Sequence, residues 1–239
     1  MSNSLKNNAS RPVLLLVHGA WFGAWCWDLV SQELLSRGWQ VQTVDLPSVA
    51  QLGDSRGGLL EDAQVVRQRA SEIDGPVVIV AHSYGGAVVS QAAAGLPNVR
   101  HLVYLCAFQL DIGESVMDVI GELPVWWNIE GGIATVRGPR EVLFNDMPED
   151  AARQAAARLK PTSTRGGTNV LTAAAWRTIP STYIVTDKDK AAPPAAQERI
   201  AARANHVRHL PSGHLPQLSM PVALTDLIVE AAATTTAHP

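Results

Sequence analysis

Three residues that lie far apart in this 239-residue sequence could together activate a hydroxyl group: Ser83, His214 and an acid at position 187 or 189. Ser83 stands in VIVAHSYGG, Val78 to Gly86, where an apolar run ends in a serine with Ala81 two positions before it and Gly85 two positions after. Small residues at those positions let a chain leave a buried strand and turn sharply into a helix. The serine is then held exposed in a strained backbone conformation. A serine hydroxyl is a weak nucleophile at neutral pH. It needs an imidazole to take its proton and a carboxylate to fix the imidazole tautomer. Both follow in the chain: TDKDKAAPP after an apolar run offers Asp187 and Asp189, and PSGHLPQLS after another offers His214. A loop reading HGAWFGAW follows the first apolar run, and its Ala20 amide could meet the negative charge that develops on a substrate carbonyl. The Tyr84 amide, directly after the nucleophile, would be the second donor.

The elements that must position these residues alternate along the chain. Val13–Val17, Val41–Val44, Val77–Ala81, Val99–Leu105, Thr182–Thr186 and Val207–Leu210 read as short apolar strands. Helical spacing follows them at Asp28–Arg37, Leu59–Ile73, Ala87–Ala94, Ala195–Arg203 and Val222–Ala233. Apolar strands alternating with helices predict an α/β fold: a mostly parallel sheet covered by helices on both faces, with its binding site at the strands' C-terminal ends. Residues 113–176 break the rhythm and carry a helical pattern at Glu149–Leu159. They predict an inserted cap over the site, between core segments 12–112 and 177–233. Residues 1–11 and 234–239 read as polar tails, the first disordered.

Composition narrows the function classes. The formal net charge is −3 without long like-charged runs, which argues against a nucleic-acid face or a membrane-surface patch. No apolar stretch approaches the roughly 18 residues a membrane helix needs, and the N-terminus lacks a secretory pattern, so a cytoplasmic protein is expected. The size suits one domain acting on a small molecule, and a homodimer is an assembly the sequence leaves open. Cys26 and Cys106 lie in apolar surroundings and read as packing residues. His101, His206, His209 and His238 show no paired spacing for a metal ion, and no cofactor motif is present.

Taken together, HGAWFGAWCW, AHSYGG, YIVTDKDKAAPP and GHLPQLS give the chain a resemblance to the α/β-hydrolase superfamily from Val13 to about Ala232. It most resembles the branch holding plant methylesterases, hydroxynitrile lyases and small bacterial esterases. The order serine, acid, histidine is that of this fold. The resemblance implies a cofactor-independent serine esterase. In that branch the acid precedes a lysine and a proline turn, here Pro193–Pro194, which assigns the role to Asp189. The lyases of the branch carry threonine after the first-strand histidine and lysine after the catalytic one. This chain has Gly19 and Leu215, which disfavours carbon–carbon cleavage of a cyanohydrin because no cation stands where cyanide would leave. A ligand receptor with slow turnover is the remaining alternative.

His18 and His82 are expected to hydrogen-bond loop backbone rather than move protons, and Asp45 to cap a loop. Trp25, Trp27 and Trp39 read as packing residues. Trp21, Phe108, Trp126, Trp127, Trp176 and Leu215 are expected to line the substrate pocket, which predicts a small apolar or aromatic ester, or an activated amide, as the substrate.

Overall fold

Alternate residues of the first strand serve opposite faces of one sheet. In β1 (Val13–Val17), Val13, Leu15 and Val17 join one buried cluster while Leu14 and Leu16 join another. This is the period-2 geometry of a strand buried on both sides, and it explains the unbroken apolar run. The chain is described in a computed structural model over residues 11–49 and 57–234. The expected tails therefore lie outside the described residues except at Arg11 and Thr234.

Between β1 and β2 (Val41–Val44) lies α1 (Asp28–Ser36). Then come α2 (Leu59–Ser71), β3 (Val77–His82), α3 (Gly85–Ala92) and β4 (Val99–Leu105). The segment that follows holds α4 (Val116–Ile120), β5 (Trp127–Glu130), β6 (Ile133–Val136), α5 (Pro139–Val142), α6 (Glu149–Ala156), β7 (Thr162–Ser163) and α7 (Arg165–Thr168). The chain closes with β8 (Ser181–Thr186), α8 (Pro194–Ala201), β9 (His206–Leu210), α9 (Pro216–Ser219) and α10 (Pro221–Ala233).

Six strands form a parallel sheet in the order β2-β1-β3-β4-β8-β9. Leu59, Ala63 and Val66 of α2 and Ala87 and Val88 of α3 cover one face; Val30 and Leu34 of α1 and Leu224 and Ile228 of α10 cover the other. Each leucine buried to this degree contributes roughly 1.5 to 3 kcal/mol. Truncating Leu34 to alanine would cost about 2 to 5 kcal/mol, and more if the site cannot collapse.

The core elements lie within two residues of their expected bounds. The largest shift is α3, which begins at Gly85 rather than Ala87 because the turn at Ser83 feeds directly into it: Gly86 N–H donates to Ser83 O and Ala87 N–H to Tyr84 O. The expected helix 149–159 is regular only as far as Ala156, its last residues relaxing into turn bonds.

Residues 113–176 were expected to hold short helices, but a second, antiparallel sheet runs through them in the order β5-β6-β7. Its hairpin turns at Gly131 and Gly132, both at positive φ (54° and 78°), and pairs Glu130 with Ile133. Two adjacent glycines are a favoured two-residue hairpin turn, and this sequence signal went unused. An isolated bridge from Val49 to Thr162 ties this sheet to the core.

Candidate active site

The parallel register places the C-terminal ends of β1, β3, β4, β8 and β9 along one edge, and each delivers a loop to the same place. Ser83 follows β3 at φ 52°, a left-handed conformation that costs a non-glycine residue on the order of 1 to 3 kcal/mol. The surroundings fix it there. Ser83 N–H donates to Leu105 O (3.1 Å), and Ser83 O accepts from Gly86 (3.0 Å) and Phe108 (3.1 Å). The turn also requires Gly85, where a Cβ would stand 2.6 Å from His18 O.

His214, buried on the loop after β9, bridges the other two residues. Its Nδ1 lies 2.7 Å from Asp189 Oδ2 and its Nε2 lies 3.2 Å from Ser83 Oγ. A carboxylate only accepts, so the ring proton sits on Nδ1 and Nε2 is free to accept from the serine hydroxyl. The two acids separate cleanly. Asp187 turns outward to His209 Nδ1 (2.8 Å), whereas Asp189 is 4% exposed.

Asp189 is also satisfied on every side. Oδ1 accepts from the amides of Ala191 and Ala192, both at 2.8 Å. Oδ2 accepts from Thr186 Oγ1 (2.9 Å) and Gln197 Nε2 (3.0 Å) as well as from His214. Sequence reasoning missed Thr186 and Gln197 as partners. The available signal was a glutamine on α8 at a position the helix buries.

The two residues whose amides were singled out as donors border the same cavity as Ser83. Ala20, Tyr84 and Ser83 all line one cavity, and no hydrogen bond from the Ala20 or Tyr84 amide to a protein acceptor occurs among the described residues. Gly19 permits this approach, since a Cβ there would meet Ser83 Cβ at 2.9 Å. Trp21, at φ 66°, is held by residues 134–162: its amide donates to Thr162 Oγ1 (2.7 Å), its ring Nε1 to Ala134 O (3.0 Å), and its carbonyl accepts from Lys160 (2.9 Å). The Tyr84 hydroxyl donates to Asp62 Oδ2 (2.7 Å), a buried carboxylate whose pKa burial raises.

His18 and His82 make the backbone contacts expected of them. Leu46 N–H donates to His18 Nε2 (3.0 Å), so Nδ1 carries the proton and donates to Gly19 O (2.8 Å). Complete burial lowers the His18 pKa to about 4. His82 Nε2 lies 3.0 Å from His214 O, and burial holds this ring neutral too. Asp45 caps the loop by accepting from Ala24 N–H (2.8 Å).

One group of metal-type donors occurs among the described residues: His82, Cys106 and His214, with ligand atoms within 4.8 Å of one another. His82 Nε2 and both His214 nitrogens are already engaged, and burial pushes the Cys106 thiol far from ionisation. The donor set does not suit a metal ion, because metals bind the thiolate.

The cavity measures about 520 Å³. Trp21, Phe108, Trp126 and Trp127 line it, with Val116 and Ile120 from α4. The three tryptophans meet edge to face, with ring centroids 5.2 to 5.8 Å apart. Two expected lining residues are elsewhere. Trp176 packs against the core cluster outside the cavity, its Nε1 donating to Leu110 O (2.7 Å) and its ring flanked by Arg177 and Arg203. Leu215 is fully buried in the cluster of α1 and α10, because the chain turns into α9 directly after His214. No helix among the described residues is long and apolar enough to cross a membrane.

The sequence pattern of the alpha/beta hydrolase family matches residues 14–227. The chain is 28% identical to the alpha/beta hydrolase nvfD of Aspergillus novofumigatus, over 93% of this chain and 97% of that one. It is likewise 28% identical to Methylesterase 7 of Arabidopsis thaliana, over 95% and 98%. Among solved structures, a pyrethroid hydrolase from Sphingobium faniae superimposes with a TM-score of 0.80 at 24% identity, over 95% of this chain and 99% of that one. At that identity the likeness speaks for the fold.

Proposed function

Because the chain belongs to the alpha/beta hydrolase family and is an ester hydrolase within it, we propose that it works as a cofactor-independent serine carboxylesterase through Ser83, His214 and Asp189. The observation that carries this reading is His214 within hydrogen-bond reach of both partners at once, Nδ1 to Asp189 and Nε2 to Ser83.

Ser83 Oγ attacks the ester carbonyl carbon while its proton passes to His214 Nε2. Asp189 keeps the imidazole in the required tautomer and balances the imidazolium. The carbonyl oxygen becomes an anion that accepts from the Ala20 and Tyr84 amides. A lost donor of this kind costs about 3 kcal/mol. Collapse breaks the bond to the alcohol oxygen, which takes the proton from His214 and leaves. Water then enters, gives its proton to His214 and attacks the acyl carbon, and the serine leaves as its hydroxyl is restored. The net reaction turns ester and water into acid and alcohol.

The aromatic and aliphatic cavity wall supports a small apolar or aromatic ester, or an activated amide, as substrate. Leu215 lies buried where a lyase of the branch would need a cation, which favours hydrolysis over cyanohydrin cleavage. Labelling by a fluorophosphonate probe tests the mechanism. Wild-type protein should be labelled, and Ser83→Ala should escape labelling and lose about 10⁶-fold in kcat on a p-nitrophenyl ester. An unlabelled wild type, or full turnover by Ser83→Ala, would overturn it. Release of cyanide from mandelonitrile, abolished in His214→Ala, would point to the lyase instead.

A further inference from the structure

His214 must be held in reach of two partners, yet neither contact fixes the loop that carries it. Two residues outside the core sheet do so. Asn145 and Asp146 follow α5, and Asp146 Oδ2 accepts from the Gly213 amide (2.6 Å) and from Ser219 Oγ (2.8 Å). One carboxylate oxygen thus ties the residue immediately before His214 to the last residue of the helix immediately after it. Asn145 Nδ2 donates to the carbonyl of Lys188 (3.0 Å), the residue immediately before Asp189.

The fit leaves no slack. A Cβ at position 213 would stand 2.6 Å from Asp146 Oδ1 and 2.7 Å from Asn145 Oδ1. The glycine ahead of the histidine therefore lets the carboxylate and amide tips of this pair pack directly against the histidine loop. Both of those oxygens are buried with no hydrogen-bond partner among the described residues. Unpaired buried oxygens cost local stability, and here they belong to the two residues that tie the acid loop and the histidine loop together.

We propose that Asp146, assisted by Asn145, is a positioning residue that clamps the acid loop and the histidine loop in the one register where His214 reaches Asp189 and Ser83 together. This role rests on the catalytic assignment proposed above. The His214 to Ser83 contact, at 3.2 Å, sits at the outer limit of productive proton transfer, so a small drift of the loop breaks it. Misplacement by about 1 Å can cost on the order of 100-fold in rate while leaving substrate binding intact.

The experiment measures kcat and KM on p-nitrophenyl acetate, the rate of fluorophosphonate labelling, and Tm. The variants are Asp146→Ala, Asp146→Asn, Ser219→Ala and Glu114→Gln. Glu114 is the control, because its ion pair with Arg203 (2.6 Å) anchors the start of the same insertion far in sequence from the histidine loop. Asp146→Ala should lose about 10- to 100-fold in kcat with KM within about twofold of wild type, and labelling should slow in step. Asp146→Asn keeps an oxygen acceptor and should recover most of the rate, Ser219→Ala should lose a few-fold, and Glu114→Gln should keep its kcat. Unchanged kcat in Asp146→Ala overturns the proposal, as does an equal loss in Glu114→Gln, which would mark general loosening. If Asp146→Ala does not fold, wild-type kcat in both Asp146→Asn and Ser219→Ala overturns it. Full turnover by Ser83→Ala is a separate result, which removes the mechanism itself.

Discussion

The parallel sheet and the small antiparallel sheet enclose the same cavity but contribute to it differently. The inner strands of the parallel sheet are buried on both faces, and the ends of β3, β8 and β9 lead directly into the loops of Ser83, Asp189 and His214. In the antiparallel sheet the four-residue strands β5 and β6 are half-exposed or exposed apart from Ala134, and only the two-residue β7 is buried throughout. That sheet places none of the three proposed reacting side chains, yet its neighbourhood supplies two tryptophans to the wall and all three polar contacts that hold Trp21. A rigid framework sets the reacting atoms, and a smaller attachment sets the shape of the space and the pose of one loop. Variants in the two regions should therefore fail in different ways.

The sharpest contrast comes from Asp189→Asn. It leaves the fold's layers intact but presents the wrong group to His214 Nδ1 and favours the wrong tautomer. We expect about 10⁴-fold loss in kcat, measured on a p-nitrophenyl ester, with KM nearly unchanged. A loss under tenfold would mean the framework does not set the chemistry.

Acid should attack the framework first. Burial above all lowers the pKa of both His18 and His101 to about 4, against an ordinary 6.5. All seven histidines lie outside residues 113–176. As pH falls from 6.5 towards 4, the unfolded chain takes up these protons and the folded one does not, so stability present above pH 6.5 is progressively lost. Each site accounts for at most ~3 kcal/mol. Urea midpoints across this window should drop steeply, and His101→Asn should flatten the slope by about one proton. An unchanged slope would contradict the assignment.

A smaller effect is expected from Thr162→Val, which removes the acceptor for Trp21 N–H and leaves that buried amide unpaired. The cost is about 1 to 3 kcal/mol, read as a roughly tenfold fall in kcat with Asp189 and His214 untouched. Equal activity would show that the loop of Ala20 and Trp21 stands without this contact to Thr162. Smallest of all, Trp126→Ala should weaken an aromatic ester a few-fold, through KM rather than kcat, and leave a short aliphatic ester nearly unaffected. A kcat defect shared by both esters would blur the division between the regions.

The same contrast explains what could be read from residues alone. VLLLV and VVIVAH declare themselves as strands because both of their faces are buried, and a loop at the end of such a strand is a well-defined place. WNIE and IATV carry no such signal, since half-exposed four-residue strands show neither a run nor a period, and only the paired glycines between them hinted at a hairpin. Spacing left Asp187 and Asp189 as rivals. The structure separates them because the turn after β8 directs Asp187 to the surface and Asp189 to the interior. Trp176 and Leu215 were misassigned for a related reason: nearness in sequence to the cavity does not reveal which way a side chain points.

Trp21 carries a consequence for anyone wishing to redesign the enzyme's preferences. Its ring, amide and carbonyl are all committed to partners between positions 134 and 162. A transplanted segment would have to present the same backbone carbonyl and amide, and a hydroxyl at position 162, to receive it. Swapping lids is thus not a modular operation in this protein: residue 21 and its recipients form a single transplantable unit, and a chimera that exchanges one without the other should admit new molecules yet process them poorly.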